Sequence, residues 1–305
     1  MFQKTKPHLL VVGGTGFIGY HLVLNAKKKG WKVTSLSLAH PKQDRHVGGV
    51  RYLIADITDL QKVKKKLNQP FTYVVNLGGY VNHGFSKEIR KKISKTHFVG
   101  LINLTKIFSK KKIKKFIQIG SSAEYGFLEA PQREDLICLP KSPYARAKLA
   151  SSKYLLMLHK IKKFPVTILR FFQVYGPKQD QNRILPIIIN GCLNNKIIPL
   201  SKGNQIRDFC YIDDVLKAIF LTLVSKKTNG EIINIGSGKP TKLKEVIKTI
   251  HKKIGKGQLQ FGKIKYRKDE NMKVYSNIKK ARIKLKWQPK TTFSYGIKNV
   301  INSFK

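Results

Sequence analysis

Ser122, Tyr144 and Lys148 are the residues of this chain whose types and spacing suit proton transfer. Tyr144 and Lys148 lie four apart in Ser142-Pro143-Tyr144-Ala145-Arg146-Ala147-Lys148, so on a helix they share one face. A phenol with an unperturbed pKa near ~10 is a poor base at neutral pH. An ammonium held beside it favours the phenolate and draws that value down. A serine hydroxyl from the loop Ser121-Ser122-Ala123-Glu124-Tyr125-Gly126 would hydrogen-bond the same substrate oxygen. Such a set suits oxidation of an alcohol or reduction of a ketone. Tyrosine and lysine at this spacing also describe an ordinary amphipathic helix, so the surrounding elements decide between the two.

The helix that would carry the pair has its own start signal. Pro143 fixes φ as a first helical turn requires, and Ser142 before it is a natural N-cap. Apolar runs predict strands over 8–12, 31–38, 50–55, 71–77, 116–119 and 165–170. Helical spacing covers 21–29, 60–67, 89–108 and 143–160. This alternation predicts an α/β fold with a doubly wound parallel sheet.

Gly13, Gly16 and Gly19 follow the first strand and open a helix. Glycines in that context permit a tight turn, close approach of backbone to a pyrophosphate and tight helix–strand packing. Sites selective for NAD place an acid about 20 residues beyond, at the end of the second strand, to hold the ribose 2′-hydroxyl. Here that position is Ser37, and His40, Lys42 and Arg45 follow it, which favours the 2′-phosphate of NADP(H). Asp56 ends the third strand, where a carboxylate could face an adenine amino group, while Asp59 reads equally as an N-cap. Gly78 and Gly79 after the fourth strand would let the backbone pass close to a cofactor.

Beyond residue 170 the text is more irregular and predicts a smaller mixed α/β lobe. Asp213 and Asp214 precede a predicted helix over 215–224, where they would cap it and complement its dipole. Arg207 is less easily explained as structure, and a guanidinium suits bidentate phosphate binding. Arg267, near Asp269, is a second candidate for gripping an anion. Without repeats or a linker, the lobes are expected to interleave. Residues 1–170, with part of 208–238, form the dinucleotide domain, and 171–305 mainly the substrate lobe.

Composition narrows the class. Sixty-one Lys plus Arg against 16 Asp plus Glu give a formal net charge of +45, which raises nucleic-acid binding as a question. The lysines are spread along the whole chain, and aromatics do not interleave with them as base stacking requires, so no specific nucleic acid is expected. Six of the 16 acids fall inside motifs: Asp56, Asp59, Glu124, Asp208, Asp213 and Asp214. No apolar run approaches the ~20 residues of a membrane span. Residues 1–8 are polar and lead into a strand, which predicts no signal peptide. Three cysteines without metal-ligand or disulfide spacing suit a reducing cytoplasm, and no metal site is expected.

Taken together, the chain resembles the extended short-chain dehydrogenase/reductase family of nucleotide-sugar epimerases, dehydratases and reductases. The resemblance rests on Gly-Gly-Thr-Gly-Phe-Ile-Gly at 13–19, Ser-Ser-Ala-Glu-Tyr-Gly at 121–126 and Ser-Pro-Tyr-Ala-Arg-Ala-Lys at 142–148. Val-Tyr-Gly-Pro at 174–177, Arg-Asp-Phe-Cys-Tyr-Ile-Asp-Asp-Val at 207–215 and Asn-Ile-Gly-Ser-Gly at 234–238 extend it over nearly the whole chain. It implies a Rossmann-type sheet and a Ser122–Tyr144–Lys148 triad. NAD or NADP would lie against Gly13, Gly16, Phe17, Ile18 and Gly19, then Asp56, Ile57, Leu77, Gly78, Gly79 and Lys148. A nucleotide-diphosphate sugar would be held by Glu124, Gln173, Arg207 and Arg267. By the same analogy such enzymes form homodimers and serve polysaccharide biosynthesis.

Departures from the family pattern refine the expected activity. The 4,6-dehydratases carry Thr-Asp-Glu where this chain has Ser122-Ala123-Glu124, and Ala123 cannot protonate a leaving hydroxyl. Gln173 and His97 stand where relatives commonly have asparagine. What remains is hydride transfer at sugar C4 by a 4-epimerase or a 4-keto-sugar reductase. The missing acid at Ser37 favours the reductase and the make-up of the family the epimerase. A non-catalytic nucleotide sensor and a basic RNA-binding protein on the same fold are the alternatives, and neither needs the triad.

Overall fold

The computed structural model describes residues 6–80, 84–267 and 270–304. Its elements run in chain order as strand β1 (His8–Val12), helix α1 (Phe17–Lys28), β2 (Lys32–Ser37), β3 (Arg51–Ile54), α2 (Leu60–Lys66) and β4 (Tyr73–Asn76). Next come α3 (Lys87–Ser94), a π-helical turn (Lys95–Val99), α4 (Gly100–Phe108), β5 (Lys115–Ser121), a 3-10 turn (Ser122–Tyr125) and α5 (Pro143–Lys162). There follow β6 (Val166–Phe171), β7 (Gln173–Tyr175), α6 (Ile184–Leu193), β8 (Ile197–Leu200), β9 (Ile206–Arg207), β10 (Phe209–Tyr211) and α7 (Ile212–Val224). The last are β11 (Glu231–Ile235), β12 (Thr241–Lys242), α8 (Leu243–Ile254), β13 (Gln258–Phe261), β14 (Lys273–Val274), α9 (Lys279–Leu285) and α10 (Phe293–Asn302).

Two compact units result. One comprises Met1–Gly126, Ile137–Arg170 and Ala218–Ile233, the other Phe127–Leu136, Phe171–Lys217 and Asn234–Lys305. A seven-stranded sheet orders its strands β11-β6-β5-β4-β1-β2-β3, and β3, β2, β1, β4 and β5 pair in parallel. This is a Rossmann-type, doubly wound sheet. Every residue of β1, β4 and β6 is buried, as expected of strands covered by helices on both faces. The core joins Leu10, Val12, Val74, Phe116 and Ile168 of the sheet to Val63, Leu104 and Leu155 of the helices. β1 lies between β2 and β4, so the strand order reverses there. In such sheets ligands bind at the carboxyl ends of the strands flanking that point.

In the other unit β7 pairs with β10 and β8 with β13, while β9 lies between β12 and β14. Tyr175, Phe209, Tyr211 and Phe293 pack ring against ring beside β7 and β10. The helix expected over 215–224 begins earlier, at Ile212, because Asp213 and Asp214 are inside its first turn. The Asp214 carboxylate serves elsewhere, accepting the N–H groups of Lys290 and Thr291 at 2.9 Å each. The helix expected over 89–108 is broken by the π turn at Lys95–Val99. Cys138, Cys192 and Cys210 are unbridged. Among the described residues, no helix is long and apolar enough to cross a membrane.

Candidate active site

Three turns leave the carboxyl ends of β1, β4 and β5, and they hold Gly13, Gly16, Leu77, Gly78, Gly79, Ser122 and Glu124 of the residues singled out in the sequence. Gly13 turns the chain at φ +80° after β1, a conformation suited to glycine, and its N–H donates to Leu36 O at 2.7 Å. A Cβ at Gly13 would press on the Leu77–Gly78 backbone at 3.1 Å, and one at Gly19 would run into the Gly13 carbonyl. Gly16 caps α1 without any side-chain bond, and the first turn, which includes half-buried Phe17 and Ile18, has no acid. Among the described residues, no N-cap side chain binds the leading N–H groups of α1, which lie in a cradle that side chains would fill. That arrangement fits a dinucleotide pyrophosphate.

The turn after β4 is shaped by Asn76, whose Oδ1 accepts the Gly78 N–H at 3.1 Å and whose Nδ2 donates to Gln118 Oε1 at 2.8 Å. Leu77 N–H donates to Val12 O at 2.9 Å, joining this turn to β1. After β3, the exposed Asp56 accepts the Thr58 N–H at 2.8 Å, and Ile57 is buried. Asp59 caps α2 by accepting the Lys62 N–H at 3.0 Å. Asn103 of α4 donates to the carbonyls of Ile57 and Thr58, a role the sequence offered only as a polar residue on an apolar helix face. At the end of β2, Ser37 Oγ accepts the Thr15 N–H at 3.3 Å. Arg45 is buried against the same turn, with Nη1 3.5 Å from Thr15 O, whereas His40 and Lys42 are exposed.

α5 carries both Tyr144 and Lys148. Ser142 caps it by accepting the Ala145 N–H at 3.2 Å, and Pro143 occupies the first turn. Tyr144 and Lys148 are both buried, with Lys148 Nζ 5.9 Å from the Tyr144 ring centre. Nζ donates to Ile119 O at 2.7 Å, which ties the pair to the strand that ends at Ser121. Ser121 Oγ is spent on the Ala123 N–H at 3.2 Å. Ser122, half-buried, begins the 3-10 turn that packs against α5. Burial lowers the Lys148 pKa to about 8, opposed by the charge of Glu124, so the ammonium persists at neutral pH. His97 on the π turn packs edge-on against Tyr144, with ring centres 5.3 Å apart.

Glu124 does not occupy the substrate-contacting position expected for it. Its side chain is fully buried and pairs with Arg170, whose Nη2 and Nε lie 2.9 and 3.0 Å from Oε2. Ser152 Oγ donates to Oε2 at 2.9 Å and the Ser121 N–H to Oε1 at 2.8 Å. Both oxygens are committed to holding the turn. The signal for this was available, since Arg170 stands next to last in a strand that is buried throughout, and a buried charge demands a partner.

In the other unit Arg207 of β9 forms an ion pair with Glu270 and donates to the carbonyl of the preceding residue, Ile206, at 2.9 Å. The positive charge of Arg267 acts on it, and Arg267 itself is exposed. Asp269, expected beside Arg267, lies outside the described residues. Gln173 is exposed at the start of β7. Asp208, between β9 and β10, is fully buried and gathers the N–H and Oγ–H groups of Ser237 and Ser276 with the Gly238 N–H.

The sequence profile of the NAD dependent epimerase/dehydratase family matches residues 9–236. A protein of Methanocaldococcus jannaschii named "Putative UDP-glucose 4-epimerase" is 32% identical over 306 residues, covering 97% of this chain and 98% of that protein. The crystal structure of UDP-glucose 4-epimerase with UDP-glucose from Thermotoga maritima superposes with a TM-score of 0.91 at 27% identity, covering 97% and 98%. That of UDP-glucuronic acid 4-epimerase from Bacillus cereus, in complex with UDP-glucuronic acid and NAD, gives 0.87 at 27% identity over the same shares.

Proposed function

The chain belongs to the NAD dependent epimerase/dehydratase family, and on that premise we propose that it is a 4-epimerase of nucleotide-diphosphate sugars. The observation that carries this reading is the buried Tyr144–Lys148 pair on α5, tied through Ile119 to the strand that leads into Ser122. Lys148 favours the phenolate of Tyr144, which takes the proton from the sugar C4 hydroxyl. Ser122 hydrogen-bonds the same oxygen and holds it toward Tyr144. NAD(P), when bound, supplies acceptance and return of the hydride at C4. Once the 4-keto sugar has turned over its other face, Tyr144 gives the proton back to the oxygen. Gly13, Gly16 and Gly19 would seat the pyrophosphate at the α1 N-terminus, and Asp56 the adenine edge. Arg207 and Arg267 would hold the substrate diphosphate, with Gln173 contributing. The relatives named for UDP-sugars favour a uridine nucleotide. Ala123 supplies no acid and Glu124 is engaged with Arg170, which disfavours 4,6-dehydration.

One observation favours a second reading. Ser37 stands where an acid would select NAD, and Arg45 is buried beside the glycine turn. A cation there suits the 2′-phosphate of NADPH, as a 4-keto-sugar reductase would use. Denaturing the purified protein and identifying any released dinucleotide by mass spectrometry separates the two. Tightly held NAD with interconversion of UDP-glucose and UDP-galactose, or of the C4 epimers of UDP-glucuronate, supports the epimerase. NADP, or an empty site that takes up NADPH, supports the reductase. Failure to bind either dinucleotide overturns both.

A further inference from the structure

The Rossmann-type unit separates its charges by end. Of its six acids, Asp44, Asp56, Asp59, Glu88 and Glu124 follow the carboxyl ends of strands, on the side of the glycine turn, and Glu231 at the start of β11 is half-buried. Helices α1, α2, α4, α5 and α7 end at the opposite edge, where the strands begin, and each has exposed lysines in or just past its last turn. A helix dipole favours a cation there. It explains neither the shortage of acids nor the apolar side chains that stand among the lysines.

Both features meet where α5 leads into β6 and α7 into β11, two strands that are neighbours in the sheet. Lys160, Lys162, Lys163, Lys226 and Lys227 are exposed, and beside them in the chain Ile161 and Val224 are 68% and 64% exposed. Lys163, the C-cap of α5, holds a left-handed φ of +51°, a conformation that glycine adopts without strain. The two connections form one surface. Gly230 N–H donates to Val166 O at 2.7 Å, and the buried Lys115 donates to Thr167, Thr228 and Asn229.

We propose that this corner docks on the anionic surface of a phospholipid bilayer, its lysines at the headgroup phosphates and Ile161 and Val224 entering between headgroups and acyl chains. A polybasic patch and a small apolar insertion together give reversible attachment where either alone is weak. A nucleic acid would use the charge but has no use for two aliphatic side chains, since base stacking needs aromatic rings. The five residues of β1, at about 3.3 Å each, hold the glycine turn roughly 16 Å from this edge, so the dinucleotide end faces away from the lipid. The inference does not depend on the reaction assigned above.

Co-sedimentation of the full chain with vesicles of equal parts phosphatidylglycerol and phosphatidylcholine tests it. Binding is expected to these and not to phosphatidylcholine alone, and it should fall steeply as salt rises above about 0.1 M. The patch variant combines Lys160→Gln, Lys162→Gln, Lys163→Gln, Lys226→Gln and Lys227→Gln. A matched variant combines Lys252→Gln, Lys253→Gln, Lys256→Gln, Lys263→Gln and Lys298→Gln, all exposed and in the other unit, so both lose the same net charge. Each lysine against an anionic bilayer is worth about fivefold in affinity, so the patch variant should lose about a hundredfold or more and the matched one less than about fivefold. Ile161→Ser with Val224→Ser should lose about tenfold. Equal losses in the two lysine variants would reduce the effect to net charge and overturn the proposal. So would a single-stranded RNA bound more tightly than the vesicles, with affinity unchanged by the serine pair, which would mark a nucleic-acid surface. Loss of a dimer in the patch variant by light scattering, without vesicle binding by the unaltered protein, would mark a contact between two copies and overturn it as well.

Discussion

Replacing Glu124 by alanine would remove a carboxylate that takes four hydrogen bonds, from Ser121, Ser152 and two nitrogens of Arg170. The Arg170 side chain, 2% exposed, would be left as a buried charge without its counter-ion. Breaking a buried pair from one side costs about 3–5 kcal/mol, whereas replacing both partners by apolar groups of like volume costs far less. Glu124→Ala should therefore shift the urea midpoint down by about 1 M or more, taking a slope of about 3 kcal/mol/M. Glu124→Leu combined with Arg170→Met should regain most of that loss. Trp31, stacked on Tyr73 in the same unit, reports the transition once Trp287 is changed to Phe. A loss below about 1 kcal/mol, with a raised KM for nucleotide sugar, would refute this reasoning and return Glu124 to the substrate.

Three further outcomes follow from named contacts. The folded His97 takes up its proton only near pH 3, whereas the unfolded one does so near 6.5, so stability contributed by the neutral ring is full above 6.5 and falls as pH drops toward 3. Between pH 6.5 and 4 the loss is about 3 kcal/mol, and a urea midpoint series should show it flattened in His97→Asn; equal slopes would contradict the burial of a neutral ring beside Lys148, Tyr144 and Tyr80. Asp208→Ala strands the buried donors of Ser237, Gly238 and Ser276 and should destabilise by about 3 kcal/mol or more, read from Trp287 fluorescence in urea. Ser37→Asp should weaken NADPH binding by about tenfold or more relative to NADH in fluorescence titrations; an unchanged ratio would remove Ser37 from the ribose site.

The sheet was legible because its strands are short apolar runs set between helical repeats and punctuated by glycine, a pattern that local chemistry imposes. The cap at Ser142 and the shared face of Tyr144 and Lys148 were readable for the same reason. What escaped was the use made of the few acids. Asp59 does cap a helix, but Glu124, Asp208 and Asp214 anchor backbone and side chains 28 to 77 residues away in sequence, and only the folded chain brings those donors to them. Arg207, less easily explained as structure from the sequence, pairs with Glu270, 63 residues on. The π turn at Lys95–Val99 was hidden too, because its residues keep helical spacing while the extra residue turns His97 toward Tyr144.

The proposed function has Tyr144 exchange the proton at sugar C4. Its most direct test is to incubate the protein and its Tyr144→Phe variant with UDP-glucose and UDP-glucuronate, resolve the C4 epimers by chromatography, and titrate both proteins with NADH. The expected result is epimer formation by the unaltered protein and a loss of at least about a thousandfold in the variant, with NADH affinity within a few-fold. Epimer formation at a comparable rate by Tyr144→Phe would contradict it.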